Sequence, residues 1–444
     1  MDDVDAVQAQ IARNMLDSGD WVTARLDGVK YLEKAPLWYW LIAICFKLFG
    51  VHDWVARIPV VLSAILLGCL TYRIGKWAFS IEAGTYAGLA VSTCVGLFLF
   101  TRILIPDVML TLFIAVALWA FLRATQPVEP HPKLWAWTSA AAIGIGLLLK
   151  GLIAAVFPIG TAAVYLLVTG QCKNRTVWRS LHLRSGVFIV LAIAAPWHIV
   201  ATLRNPPYFV ATLHSGPGEY KGFFWFYFVN EHLLRFLNTR YPRDYNTVPR
   251  PLFWILHLVW LFPCSLFLAS ALRFRYSPED RAGRLRLLAV IWIGVVLIFF
   301  TFSTTQEYYS MPCYPAFALL IGCATANRTN EHKWAVRAVS AISGVASAGA
   351  LGVLITTWNL PHPGEISRAL TQHPEAYSLS LGHMGDLTLS SFAYLRVPLA
   401  LAALAFAIGA TGAFILRPAM RYLSLAAMMV VLLHASRLAM VTFD

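Results

Sequence analysis

The chain has 444 residues, of which 59% are hydrophobic and only 13% charged, with a formal net charge of +13. Soluble domains are rarely more than half apolar and are about a quarter charged, so this composition excludes a soluble globular protein and points to a polytopic membrane protein. The positive charge does not point to nucleic acid, because the basic residues sit in short clusters between apolar runs, as cytoplasmic loops of membrane proteins do.

The first residues, MDDVDAVQAQIARNM, are acidic and polar, with no basic region ahead of an apolar one, so no signal peptide is expected here. Downstream, twelve segments are apolar enough to be candidate spans: about 54–78, 82–102, 106–124, 134–151, 152–169, 184–203, 251–273, 284–302, 312–326, 334–357, 394–416 and 420–440. Each meets or approaches the roughly 20 residues a helix needs to cross the hydrocarbon. The segments near 150 and 312 are short, which suits tilted or re-entrant helices. The seven cysteines (45, 69, 94, 172, 264, 313 and 323) lie almost entirely inside apolar segments, without metal-type spacing or a paired framework.

Orientation follows from Lys and Arg. About half of the basic residues fall in alternate short connections, from Arg73 and Lys76 to Arg417 and Arg421. The positive-inside rule makes these connections cytoplasmic. The segments 1–53, 103–105, 204–250, 303–311 and 358–393 then face outward. An outward segment of 53 residues needs a helix to lead it across, so a first helix is expected upstream of Met1. The domain division that follows is an external loop, 1–53, a transmembrane core, 54–357, an external loop, 358–393, and C-terminal helices, 394–444. The outward segments are rich in Trp and Tyr, as in FFWFYFVNEHLLRF at 223–236. That composition suits helices lying in the membrane interface.

Four outward features hold the unusual ionisable residues: the acidic cluster Asp2, Asp3 and Asp5; the pair Glu33 and Lys34 in VKYLEKAPLWYW; Asp107 in RILIPD; and Glu231, His232 and Arg235 in NEHLLRF. Each has a structural reading. The aspartates suit a helix N-terminus, the Glu-Lys pair can snorkel, Asp107 follows a proline and can serve helix amides, and a single His is more often hydrogen-bonded than metal-bound. Their segregation to one side favours a site. A carboxylate can act as general base on a hydroxyl, Lys and Arg can neutralise a phosphate, and Glu with His can hold a divalent cation. No Gly-rich nucleotide-binding loop is present, and an outward site has little access to nucleotide donors. An activated group there would arrive on a lipid phosphate.

IARNMLDSGDWVTARLDGVKYLEKAPLWYW resembles the first external loop of the bacterial aminoarabinose transferase and protein O-mannosyltransferase-like (dolichyl-phosphate-mannose-protein mannosyltransferase) glycosyltransferases. ARIPVVLSA, RILIPDVMLT, LLLKGLIA, PWHI and NEHLLRF extend the likeness to about residue 330. The resemblance implies an all-α polytopic GT-C fold of about twelve transmembrane helices, with juxtamembrane helices in the external loops. It also implies an inverting transfer of a sugar from a polyprenyl-phosphate donor to a lipid, glycan or protein acceptor at the periplasmic face of a bacterial inner membrane. By motif match, Asp3 or Asp5 would be the base, Glu33 and His232 ligands of a divalent metal (Zn, Mg or Mn), Lys34 a phosphate partner with Arg235, and Asp107 a second acidic residue near the site. The family's D-E-x-R-Y reads DDVDAVQ here. Counting from Met15 places Asp5 on the family Glu and Val4 on the family Asp, while a one-residue shift restores Asp3, the first choice for the base. Ala35 replaces a proline, and Gln306 or Glu307 stands where a later external loop commonly carries a lysine. Two other readings remain. A transporter or flippase of lipid-linked sugars would place polar groups at the midplane and show an inverted repeat, and neither is seen. A non-catalytic member would only bind the lipid.

Overall fold

The computed structural model describes residues 3–243, 247–327, 330–360 and 391–443. Asp2 and most of the expected external cap, residues 361–390, lie outside them, as does the side chain of Asp3.

The chain begins with α1, Asp3–Ser18. Asp5, Gln8, Ile11, Ala12 and Met15 are its buried positions. They recur every three or four residues, so one stripe of the helix faces inward. That stripe packs on α2, Leu37–Phe49, which is apolar except for Lys47 and buries Trp38, Tyr39, Ile42, Ala43 and Phe46. A two-stranded hairpin lies between them, pairing Arg25 with Lys30 and Leu26 with Val29. Its turn is Asp27-Gly28, both with positive φ, which matches the right-handed twist of the strands. The N-terminal segment is thus two helices joined by a hairpin. The polar loop 31–36 lies just before α2.

Among the described residues, eight helices are long and apolar enough to cross a membrane. Those that position the site are α3, Ile58–Ala78; α6, Asp107–Ala124; α7, Pro132–Lys150; and α11, Arg281–Phe302. Many of their apolar side chains stay exposed, for example Leu62, Ile65 and Leu66 of α3. Polar groups turn inward, as a bilayer requires. The chain is an integral membrane protein.

All twelve expected apolar segments contain helix, but not all form one long span. The segment 82–102 breaks at Thr93-Cys94 into α4, Ile81–Ser92, and α5, Val95–Phe100. The segment 152–169 yields the 16-residue α8, Ile153–Val168, whereas 184–203 yields the 22-residue α9, Leu183–Arg204. The segment 251–273 bends by 99° between α10, Arg250–Trp260, and Cys264–Ala271. The segment 312–326 starts as a tight 3-10 turn before α12, Tyr314–Asn327. Among the described residues, counting the bent pair as one span gives nine, where the sequence suggests twelve. Hydropathy counts apolar residues, whereas these breaks arise from proline and from turns inside apolar text.

Small residues let the helices approach closely. A Cβ added to Gly84 would lie 2.6 Å from the Tyr72 carbonyl of α3. This is the small-residue contact by which membrane helices gain packing, since hydrocarbon gives them no hydrophobic drive to associate.

Candidate functional site

Four segments converge, around 33–34, 150–156, 228–236 and 299–309. A cavity of about 300 Å³ is lined by Glu33, Lys34, Lys150, His232, Arg235 and Tyr309 on its polar side. Val156, Phe228, Leu233 and Phe299 are among its apolar walls. Val156 and Leu233 are themselves 41% and 44% exposed, so the cavity opens through an apolar rim. The lining thus carries three cations, Lys34, Lys150 and Arg235, and two carboxylates, Glu33 and Glu231, beside apolar walls that suit hydrocarbon.

Glu33 and Lys34 come from the loop ahead of α2. The Tyr31 hydroxyl donates to Glu33 Oε2 at 3.2 Å, and Lys34 Nζ lies 3.9 Å from the same oxygen. Burial lowers the pKa of Lys34, and the positive charge of Arg235 lowers it further. A cation in that position gains from an anion in the cavity.

His232 and Arg235 sit on a π-helix, Trp225–Leu234, and its final turn. Such wide helices are rare and recur at functional sites. His232 is locked. Its Nδ1 lies 2.6 Å from the Tyr227 carbonyl, and its Nε2 accepts the Leu152 N–H at 3.1 Å. Burial pushes its pKa down to about 4, so the ring is neutral. Arg235 Nη2 donates to the Tyr309 hydroxyl at 3.0 Å, and Nη1 lies 3.5 Å from Glu231 Oε2. Glu231 is buried and held more tightly by Arg240, whose Nη1 is 2.7 and 2.8 Å from its two oxygens. Burial raises the pKa of Glu231 against the pull of these cations and Lys34.

Gly151 makes this junction possible. Its φ of 79 and ψ of −150 are open only to glycine. A Cβ there would lie 2.2 Å from His232 Nε2 and 2.6 Å from the Tyr227 hydroxyl.

Asp107 opens α6 and is buried. Its Oδ1 meets Lys150 Nζ at 2.5 Å, and that ammonium lies 5.3 Å from the ring centres of both Tyr308 and Tyr309. Asp107 thus stands one side chain behind the cavity wall. Lys150 and Tyr309 were not singled out by sequence reasoning. The signal for Lys150 was a lone lysine inside the apolar text LLLKGLIA, which served above only to extend the family likeness.

Asp5 stands apart. It is 4% exposed and does not line the cavity. Oδ1 accepts the Leu104 N–H at 2.6 Å, and Oδ2 is paired with Arg57, which also donates to the Arg102 carbonyl. Placed so, Asp5 fastens α1 to the turn that leads into Asp107, and neither oxygen is open to a substrate proton. Asp3 is the first residue of α1, two residues away.

The residues do not fit a resident metal ion in this arrangement. Both ring nitrogens of His232 are engaged by backbone groups, and Glu33 is the one remaining donor of the expected pair. Among the described residues, no group of three or more His, Cys, Asp or Glu side chains is arranged to hold one.

Residues 33–200 match the family described as dolichyl-phosphate-mannose-protein mannosyltransferase. The chain is 30% identical over 320 residues to undecaprenyl phosphate-alpha-4-amino-4-deoxy-L-arabinose arabinosyl transferase 1 of Proteus mirabilis, covering 70% of this chain and 53% of that protein. It is 27% identical over 383 residues to arabinosyl transferase 2 of Pseudomonas fluorescens, covering 84% of this chain and 59% of the relative. The chain therefore spans little more than half the length of these curated relatives. Its structure resembles the crystal structure of ArnT from Cupriavidus metallidurans bound to undecaprenyl phosphate, with TM-score 0.72 and 24% identity over 99% of this chain and 73% of the other. The apo form of that protein matches with TM-score 0.73. The likeness establishes the fold, and the sequence matches relate the chain to the aminoarabinose transferase-like GT-C glycosyltransferases.

Proposed function

We propose that this chain, as a relative of those glycosyltransferases, transfers a sugar from a polyprenyl-phosphate donor to a lipid, glycan or protein hydroxyl at the periplasmic face of a bacterial inner membrane. The observation that carries the proposal is the cavity itself: Lys34, Lys150 and Arg235, in excess over Glu33 and Glu231, line one apolar-walled pocket with an exposed apolar rim. A lone phosphate would not need the apolar walls, and a neutral lipid would not need the cations.

The donor phosphate would lie between Lys34 and Arg235, with its first prenyl carbons against Phe228 and Phe299. In an inverting transfer the acceptor oxygen bonds to the anomeric carbon as the bond from that carbon to the phosphate oxygen breaks. The leaving phosphate gains one negative charge. Fixed cations aimed at that charge stabilise the transition state more than the ground state. Asp107 holds Lys150 toward the cavity. The base that takes the acceptor proton falls to Asp3, because both oxygens of Asp5 are engaged. No step is routed through a metal. A zinc, magnesium or manganese ion at Glu33 and His232 would require the ring to release the Leu152 amide and the donor phosphate to add oxygens. Loss of turnover on chelation, restored by one of these ions, would support that ion's place.

The engagement of Asp5 also favours a second reading, in which the chain binds the lipid phosphate without turnover. Radiolabelled polyprenyl-phosphate sugar, presented in nanodiscs with the wild type and Asp3→Asn, separates the two. Transfer by the wild type and its loss in Asp3→Asn, with donor binding kept, supports the enzyme. Binding without label transfer in the wild type supports the second reading, and no binding defeats both.

A further inference from the structure

Arg240 follows the π-helix and does not line the cavity. We infer that Arg240 is a positioning residue: it takes up the charge of Glu231, so that Arg235 serves the donor phosphate instead of Glu231. The inference rests on the donor-site reading above.

Glu231 needs a cation because its side chain is only 2% exposed. Two arginines are in reach, and they are unequal. Arg240 meets both carboxylate oxygens at 2.7 and 2.8 Å, whereas Arg235 Nη1 lies 3.5 Å from Oε2, at the outer limit of a hydrogen bond. Arg235 is Glu231's neighbour one turn on, so it is the natural partner by spacing alone. Instead its Nη2 is drawn to the Tyr309 hydroxyl on the cavity wall.

The loop is built to deliver Arg240. Asn238, with φ 58, reverses the chain after the helix, and the Thr239 N–H donates to the Leu234 carbonyl at 2.9 Å. On the far side, Asn230 Nδ2 donates to the Tyr241 carbonyl at 3.1 Å and to Glu231 Oε1 at 3.0 Å. The residue is therefore fixed from both flanks against the carboxylate. Without it, the buried Glu231 would draw Arg235 in, and a donor phosphate would have to compete with that carboxylate for the guanidinium.

The test measures binding of farnesyl phosphate to the full chain in detergent. Arg240→Gln should weaken binding about tenfold to a hundredfold, the range for one charge-assisted hydrogen bond. Arg240→Lys should keep most of the affinity. The combination Glu231→Gln with Arg240→Gln should return it to within about threefold of wild type, since no carboxylate then captures Arg235. A purely structural role for Arg240 would lower the Tm of Arg240→Gln while its folded fraction binds at the wild-type affinity. Wild-type binding by Arg240→Gln overturns the inference, and so does a double variant as weak as the single. Where the single variant fails to fold, the double variant decides in the same way. Failure of the wild type to bind farnesyl phosphate overturns the donor-site reading and this inference with it.

Discussion

The Asp107–Lys150 pair couples the fold to the cavity, and the two effects can be separated. The side chains are 3% and 17% exposed, and the ions are 2.5 Å apart. Lys150→Met leaves a buried carboxylate without its ammonium, at a cost of about 3–5 kcal/mol. For a chain of this length, that should lower the apparent Tm by about 3–5 °C. Pairing the change with Asp107→Asn removes the stranded charge, and replacing both members of a buried ion pair is often close to neutral. The double variant should therefore melt near the wild-type temperature. Its affinity for farnesyl phosphate should still fall about tenfold, because the Lys150 charge is gone from the cavity wall. Thermal melts by intrinsic fluorescence and lipid-phosphate titrations of the same three samples read both quantities. Restored stability with full affinity would remove Lys150 from the donor site. A Lys150→Met chain that melts and binds like wild type would refute the reasoning about the pair altogether.

Gly151→Ala should cost about 1–3 kcal/mol of backbone strain and push His232 from the Leu152 amide, lowering both the Tm and transfer; an unchanged melt would contradict the glycine argument. Asp5→Asn should loosen α1 from the turn before Asp107 and lower stability by about 1–3 kcal/mol, read as faster proteolysis of residues near the N-terminus. Donor affinity in that variant should change little, since Asp5 lies off the cavity. Tyr309→Phe removes the acceptor of Arg235 and should raise the donor KM by about threefold to tenfold, with the Tm unchanged.

Much of this architecture was legible in the sequence, and the limits have physical causes. Apolar run length located the helices, because the bilayer imposes it. Ionisable residues that are costly in a membrane marked the site region, and the chain brings Glu33, Lys34, His232 and Arg235 to one cavity. Lys150 escaped because a hairpin junction of two apolar helices reads as uninterrupted hydrocarbon text. Arg240 and Tyr309 escaped because their partners depend on how a π-helix and a 3-10 turn aim side chains, which residue spacing does not fix. Asp5 looked like a candidate base, second to Asp3, from the likeness of its motif to the family's. The partner that occupies it, Arg57, is 52 residues away at the start of α3.

The most direct test is a structure of the chain with a polyprenyl phosphate bound in a lipid environment. The account predicts phosphate oxygens within about 3 Å of Lys34 Nζ and the Arg235 guanidinium, with the first prenyl carbons against Phe228 and Phe299. A lipid phosphate seated elsewhere, with Lys34 and Arg235 still turned to Glu33 and Tyr309, would contradict it.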